Sequence, residues 1–109
     1  MTTITITKSS NDTYRSIECL GHAGFADYGN DIVCSAISVL TINLINSIDK
    51  LTDDKISVDQ DEEQGLIRLS FEGNPSKEAD ILLQSYELGI DSISRQYGKK
   101  FLNIKFRRE

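Results

Sequence analysis

The chain has 109 residues, 39% of them hydrophobic and 27% charged, with a formal net charge of −5 and one proline. That length supports one hydrophobic core, so a single domain over residues 1–109 is expected, and the composition excludes a disordered linker while the negative charge argues against general nucleic-acid binding. Two cysteines make no disulfide framework, and MTTITITKSS has no basic region followed by an apolar stretch, so neither a signal peptide nor a membrane span is expected and the cytoplasm is the expected compartment.

Residues 2–8 set Ile4 and Ile6 between Thr3, Thr5 and Thr7, the period-two pattern of a strand with one buried face. A polar turn at residues 9–12 leads to a second strand over 13–20, with Ile17 and Cys19 on one side, and the hairpin delivers Gly21 and His22 to the sheet edge. Residues 31–49 read as a helix, with an apolar stripe of Val33, Ala36, Ile37, Leu40, Leu44 and Ile48 that meets the sheet. Val39, Ile42 and Ile45 lie outside that stripe, more apolar surface than one sheet requires, and a second helix or a second subunit must cover them.

Strands over 55–60 and 65–71 flank an acidic turn, with Ile56, Val58, Ile67, Leu69 and Phe71 as expected core residues. Asn74, Pro75 and Ser76 signal the start of a second helix, which shows Ala79, Leu82, Leu83, Tyr86, Ile90, Ile93 and Tyr97 on one face and stops at Gly98. A last strand over 101–107 alternates Leu102, Ile104 and Phe106 with Asn103, Lys105 and Arg107. The order is ββαββαβ, an α+β fold of two layers, with two helices packed on a mixed five-stranded sheet.

The stretch GHAGFADYGNDIVCSAIS, residues 21–38, joins the only histidine to one of the two cysteines and is the candidate active site. Asn30 or Asp31 is a suitable helix N-cap, which places Cys34 in the first turn, where unpaired N–H groups and the helix dipole favour a thiolate. His22 in contact with Cys34 lowers the thiol pKa as an imidazolium or takes its proton as a base. Asp31 and Ser38, three residues before and four after Cys34, share its helix face. The carboxylate of Asp31 can orient His22, yet close to a thiolate it raises the cysteine pKa. The loop from Ala23 to Asn30, with Gly24 and Gly29 as hinges around Phe25 and Tyr28, is expected to close over bound peptide. The alternatives at this point are a packed thiol at Cys34 with Asp31 only a cap, a metal site of Cys19, His22, Asp31 and Cys34 without paired ligand spacing, and redox chemistry with Cys19 as partner thiol. No metal and no cofactor is expected.

Gly21, His22, Tyr28, Gly29, Asp31, Ile32, Val33, Cys34 and Ser38 resemble the signature of the ribosomal-processing cysteine protease family, Prp, in two separated blocks, and the chain's length and order of elements are also similar. One departure is Ser35, where the family usually has alanine. The resemblance implies a cysteine endopeptidase that removes a short N-terminal extension from a large-subunit ribosomal protein precursor, with Cys34 as nucleophile and His22 as base, Asp31 and Ser38 at positions the family also carries, and a homodimer. From a different class, a non-catalytic ribosome-associated module is the alternative. In it the basic residues Lys99, Lys100, Lys105, Arg107 and Arg108 bind RNA; solvated strand ends are the plainer reading of that tail.

Overall fold

The computed structural model describes residues 1–21 and 28–109, and over residues 28–31 the backbone alone. Seven elements follow one another: β1 (Thr2–Lys8), β2 (Tyr14–Leu20), α1 (Tyr28–Leu51), β3 (Ile56–Asp61), β4 (Leu66–Phe71), α2 (Lys77–Tyr97) and β5 (Leu102–Arg108). The five strands form one mixed sheet in the order β3-β4-β2-β1-β5, with β1 and β5 parallel and every other pair antiparallel. Two helices pack on this sheet, so the two-layer ββαββαβ arrangement read from the sequence is the one observed.

Alternation of side chains decides which face is covered. Ile4 and Ile6 of β1, Ile17 and Cys19 of β2, Leu69 and Phe71 of β4 and Leu102 of β5 are buried beneath the helices. The opposite face is polar and lined by Thr5, Thr7, Glu18, Arg68 and Arg107. There Arg68 donates through Nη2 to Glu18 Oε1 at 2.6 Å, across paired strands.

Each helix follows from its sequence. Val33, Ile37, Leu44 and Ile48 of α1 are at most 4% exposed, as the stripe requires. In α2, Ala79, Leu83, Tyr86 and Ile90 are buried. The Ser76 hydroxyl accepts from the Ala79 N–H at 3.1 Å, an N-cap, and Gly98 ends the helix with φ 95°. Where the two helices meet, the Thr41 and Tyr86 hydroxyls share a buried hydrogen bond of 2.9 Å. A Cβ on Gly89 lies only 3.1 Å from Leu40, so glycine permits the close approach.

Two expectations are corrected. Helix α1 begins at Tyr28, so Asn30 and Asp31 fall inside it rather than at its cap, and Cys34 sits in the second turn. Val58, expected in the core, is 41% exposed, because β3 is an edge strand of the sheet. Over residues 32–51, α1 is also long and apolar enough to cross a membrane by length and composition. Its buried stripe faces the protein core instead, while Val39 and Ile42 are 67% and 47% exposed.

Candidate active site

Strand order brings the site together. Because β4 pairs with β2, the tip of the β3–β4 hairpin lies beside the end of β2, and the Gly21 N–H donates to the Gly65 carbonyl at 3.1 Å. Gly21 has φ 108°, and a Cβ there would stand 2.6 Å from the Met1 carbonyl oxygen, so the backbone passes through a place that no side chain can occupy. That residue is the last one described before His22. The side chains of His22, Phe25, Tyr28 and Asp31, the residue Gly29 and the expected lid over 23–30 lie outside the described side chains, apart from the helical backbone of 28–31.

Cys34 is a free, half-buried cysteine on the flank of α1. It borders a cavity of about 300 Å³ together with Ser38, one turn further along the helix, and Ile37. The floor is the sheet: Thr2, Cys19, Gly21 and Ile67 line it, and Ile4, Cys19 and Ile67 stand in one register row across β1, β2 and β4. Gln60, Asp61, Glu62 and Gly65 of the hairpin tip form the remaining wall. The Asp61 carboxylate accepts from the Glu63 N–H at 3.0 Å and so holds the tip in shape.

Cavity and thiol together suit attack on a bound carbonyl group: a thiol is at the wall, the floor is apolar, and a hydroxyl and hairpin polar groups stand at the rim. The cysteines differ sharply in environment. Burial pushes the Cys19 thiol up to about 11, the nearby Cys34 adds to this, and a hydrogen bond from Thr41 opposes it. Cys19 is therefore a neutral, unreactive thiol near neutral pH, which disfavours it as a redox partner. Of the four residues in the metal alternative, only Cys19 and Cys34 are described side chains, and both face the cavity.

Sequence reasoning placed Gly21, Cys34 and Ser38 around one site, and the structure brings these three to the same cavity. It missed Thr2, Cys19 and the hairpin tip as walls. The acidic tip was read as merely exposed, since its position depends on a strand order that alternation does not reveal. Thr41 carried no signal beyond its place one turn from Ile37.

The sequence profile of the family described as Cysteine protease Prp matches residues 1–102. The chain belongs to this family. As a Prp member it is a cysteine protease, and the non-catalytic alternative gives way. A relative from Staphylococcus aureus (strain Mu50), named ribosomal processing cysteine protease Prp, is 27% identical over 106 residues, covering 96% of this chain and all of the relative. The crystal structure of SMU.848 from Streptococcus mutans superposes with a TM-score of 0.88 at 28% identity, over all of this chain and 96% of the other. The S. aureus Prp protease in complex with a substrate peptide gives 0.86 at 25% identity, with both chains fully covered. The Prp family thus joins a described thiol, a cavity and a protease class in one molecule.

Proposed function

We propose that this protease removes a short N-terminal extension from a large-subunit ribosomal protein precursor in the cytoplasm, with Cys34 as nucleophile and His22 as base. The observation that carries the reading is Cys34 itself, half-buried at the wall of a cavity able to receive a peptide. The ribosomal target is supported by the names of its relatives and by an S. aureus relative solved with a substrate peptide.

In the reaction, His22 takes the Cys34 proton and the sulfur attacks the scissile carbonyl carbon. The C–N bond then breaks as the imidazolium returns the proton to the leaving amine, and the acyl group stays on sulfur. Water, deprotonated by the same imidazole, releases the acid and restores the thiol. Ser38 and Gly21 border the bound peptide, and Phe25, Tyr28 and Gly29 contribute to binding it from the stretch between Gly21 and Cys34. Asp31, one helical turn before Cys34, orients the imidazole.

Incubation with an extended ribosomal-protein precursor, read by mass spectrometry, tests this. A single N-terminal fragment is expected from the wild type, none from Cys34→Ala, and a loss of about 100-fold or more in rate from His22→Ala. Undiminished cleavage by Cys34→Ala removes the nucleophile assignment. The active protein is also proposed to be a homodimer whose subunits cover the exposed Val39, Ile42 and Val58.

A further inference from the structure

We propose that Asp61 is a positioning residue for the reaction: it holds the tip of the β3–β4 hairpin, the tip holds Gly21, and Gly21 is bonded to His22. The inference rests on the reading of His22 as the base and adds to it the part of the fold that sets the place of that base.

The observations form a chain of hydrogen bonds. Asp61 is the last residue of β3, paired with Leu66 across the hairpin, and Leu66 is paired in turn with Leu20 of β2. The Asp61 Oδ1 accepts from the Glu63 N–H at 3.0 Å and from the Gln64 N–H at 3.4 Å, the way in which a short acidic side chain closes a turn on its own backbone. Within that turn the Gly65 N–H donates to the Glu62 carbonyl at 3.2 Å, and Gly65 has φ 65°, in the left-handed region that favours glycine. The Gly65 carbonyl then accepts the Gly21 N–H at 3.1 Å.

Gly21 thus has two supports of unequal firmness. On one side stands the Met1 carbonyl, 2.6 Å from where a Cβ would be, and it leads into β1, which is paired along both of its edges. On the other side is the hairpin tip, which joins the edge strand β3 to β4 and is closed by one side chain. The tip is therefore the support that a single residue controls. A base works only within hydrogen-bond reach of the proton it takes, and a misplacement of about 1 Å costs up to about 100-fold in rate. Position in this scheme needs the Asp61 oxygen and not its charge, because an amide oxygen at residue 61 can accept the same two bonds. That separates it from a direct role at the cavity wall, where a carboxylate would act through its charge on the peptide or on an imidazolium.

The test compares wild type, Asp61→Ala, Asp61→Asn and His22→Ala. Cys34 alkylation by iodoacetamide is followed against pH, with Cys19 silent because burial keeps its thiol protonated. Both kcat and KM are measured for a peptide spanning the cleaved junction of an extended ribosomal-protein precursor, and exchange of the Gly21 amide is read by NMR. In Asp61→Ala the Gly21 amide is expected to exchange about tenfold faster or more while the Ile17 and Leu69 amides of the central strands keep their protection. Its kcat should fall about 10- to 100-fold with KM little changed, and its alkylation profile should move toward that of His22→Ala. Asp61→Asn should keep the wild-type profile and the slow Gly21 exchange. Gly65→Val strains the same tip through its backbone and should act as Asp61→Ala does, which keeps the test decisive if that variant folds poorly. A loss confined to KM, an Asp61→Asn variant as impaired as Asp61→Ala, or faster Gly21 exchange with an unmoved pH profile each overturns the positioning role. A wild-type profile that overlays that of His22→Ala overturns the base reading instead, so the two failures are distinct.

Discussion

Cys19 and Cys34 border the same cavity from facing elements, and only their surroundings separate their chemistry. Burial raises the folded-state pKa of Cys19 from 9.0 to about 11. In the unfolded chain the thiol ionises near its ordinary value, so below pH 9 both states hold the proton and the contribution to stability is complete. Between pH 9 and about 11 the unfolded chain has released a proton that the folded chain keeps, and stability falls as pH rises. The loss is at most about 1.4 kcal/mol per pH unit. Urea melts of wild type and Cys19→Ala across this window are expected to show a steeper decline in the wild type, and parallel curves would contradict the assigned shift. What the sequence disclosed at this scale was uneven. Cys34 was singled out by its spacing to Gly21 and His22 and its place on a helix, and the structure sets it at the wall of a cavity. The helix dipole argument for it was not sound, because the helix begins at Tyr28 and the dipole acts mainly on the first turn. Alternation put Cys19 on the covered face of its strand but did not show that a cavity reaches it.

Among the elements, the two helices meet at a polar point in the core. Thr41 is 2% exposed and Tyr86 3%, and their hydroxyls satisfy one another in the core. Thr41→Val keeps the shape but strands the tyrosine hydroxyl, at an expected cost of about 1–3 kcal/mol. Tyr86→Phe strands the threonine in turn. The double variant leaves neither unsatisfied, so its loss should be smaller than the sum of the two, as measured by denaturant unfolding. Strict additivity would show that the bond contributes nothing to holding α1 against α2. The helices and strands themselves were evident from periodicity: the apolar stripe of α1, the Ser76 cap and Gly98 stop of α2, and the threonine–isoleucine alternation of β1 were each read correctly. Val58 was misjudged because alternation shows which way a side chain points and not whether anything lies above it. Thr41 escaped notice since a threonine within an apolar helix carries no mark of the tyrosine it will meet 45 residues later.

At the scale of the whole molecule, α1 shows Val39 and Ile42 to solvent, and Ile42 borders a groove with Ile56 and Val58 of β3. If two copies meet there, sedimentation should give a dimer for the wild type and a monomer for Ile42→Asp, with thermal stability of the folded monomer altered by no more than about 0.5 kcal/mol. A monomeric wild type would refute the arrangement. The pairing of β1 with both β2 and β5 carries a further consequence, for the time course of folding. Thr2 lines the cavity, and its N–H donates to the Phe101 carbonyl at 3.1 Å, while β1 runs alongside β5 from Thr2↔Leu102 to Lys8↔Arg108. One edge of β1 therefore stays open until a segment about a hundred residues downstream has been synthesised and docked, the kind of distant pairing that slows folding. Cys34 and its helix emerge long before that closure. The helix that carries the thiol is thus made while β1 still has one free edge, and the sheet beneath the cavity is complete only when β5 docks.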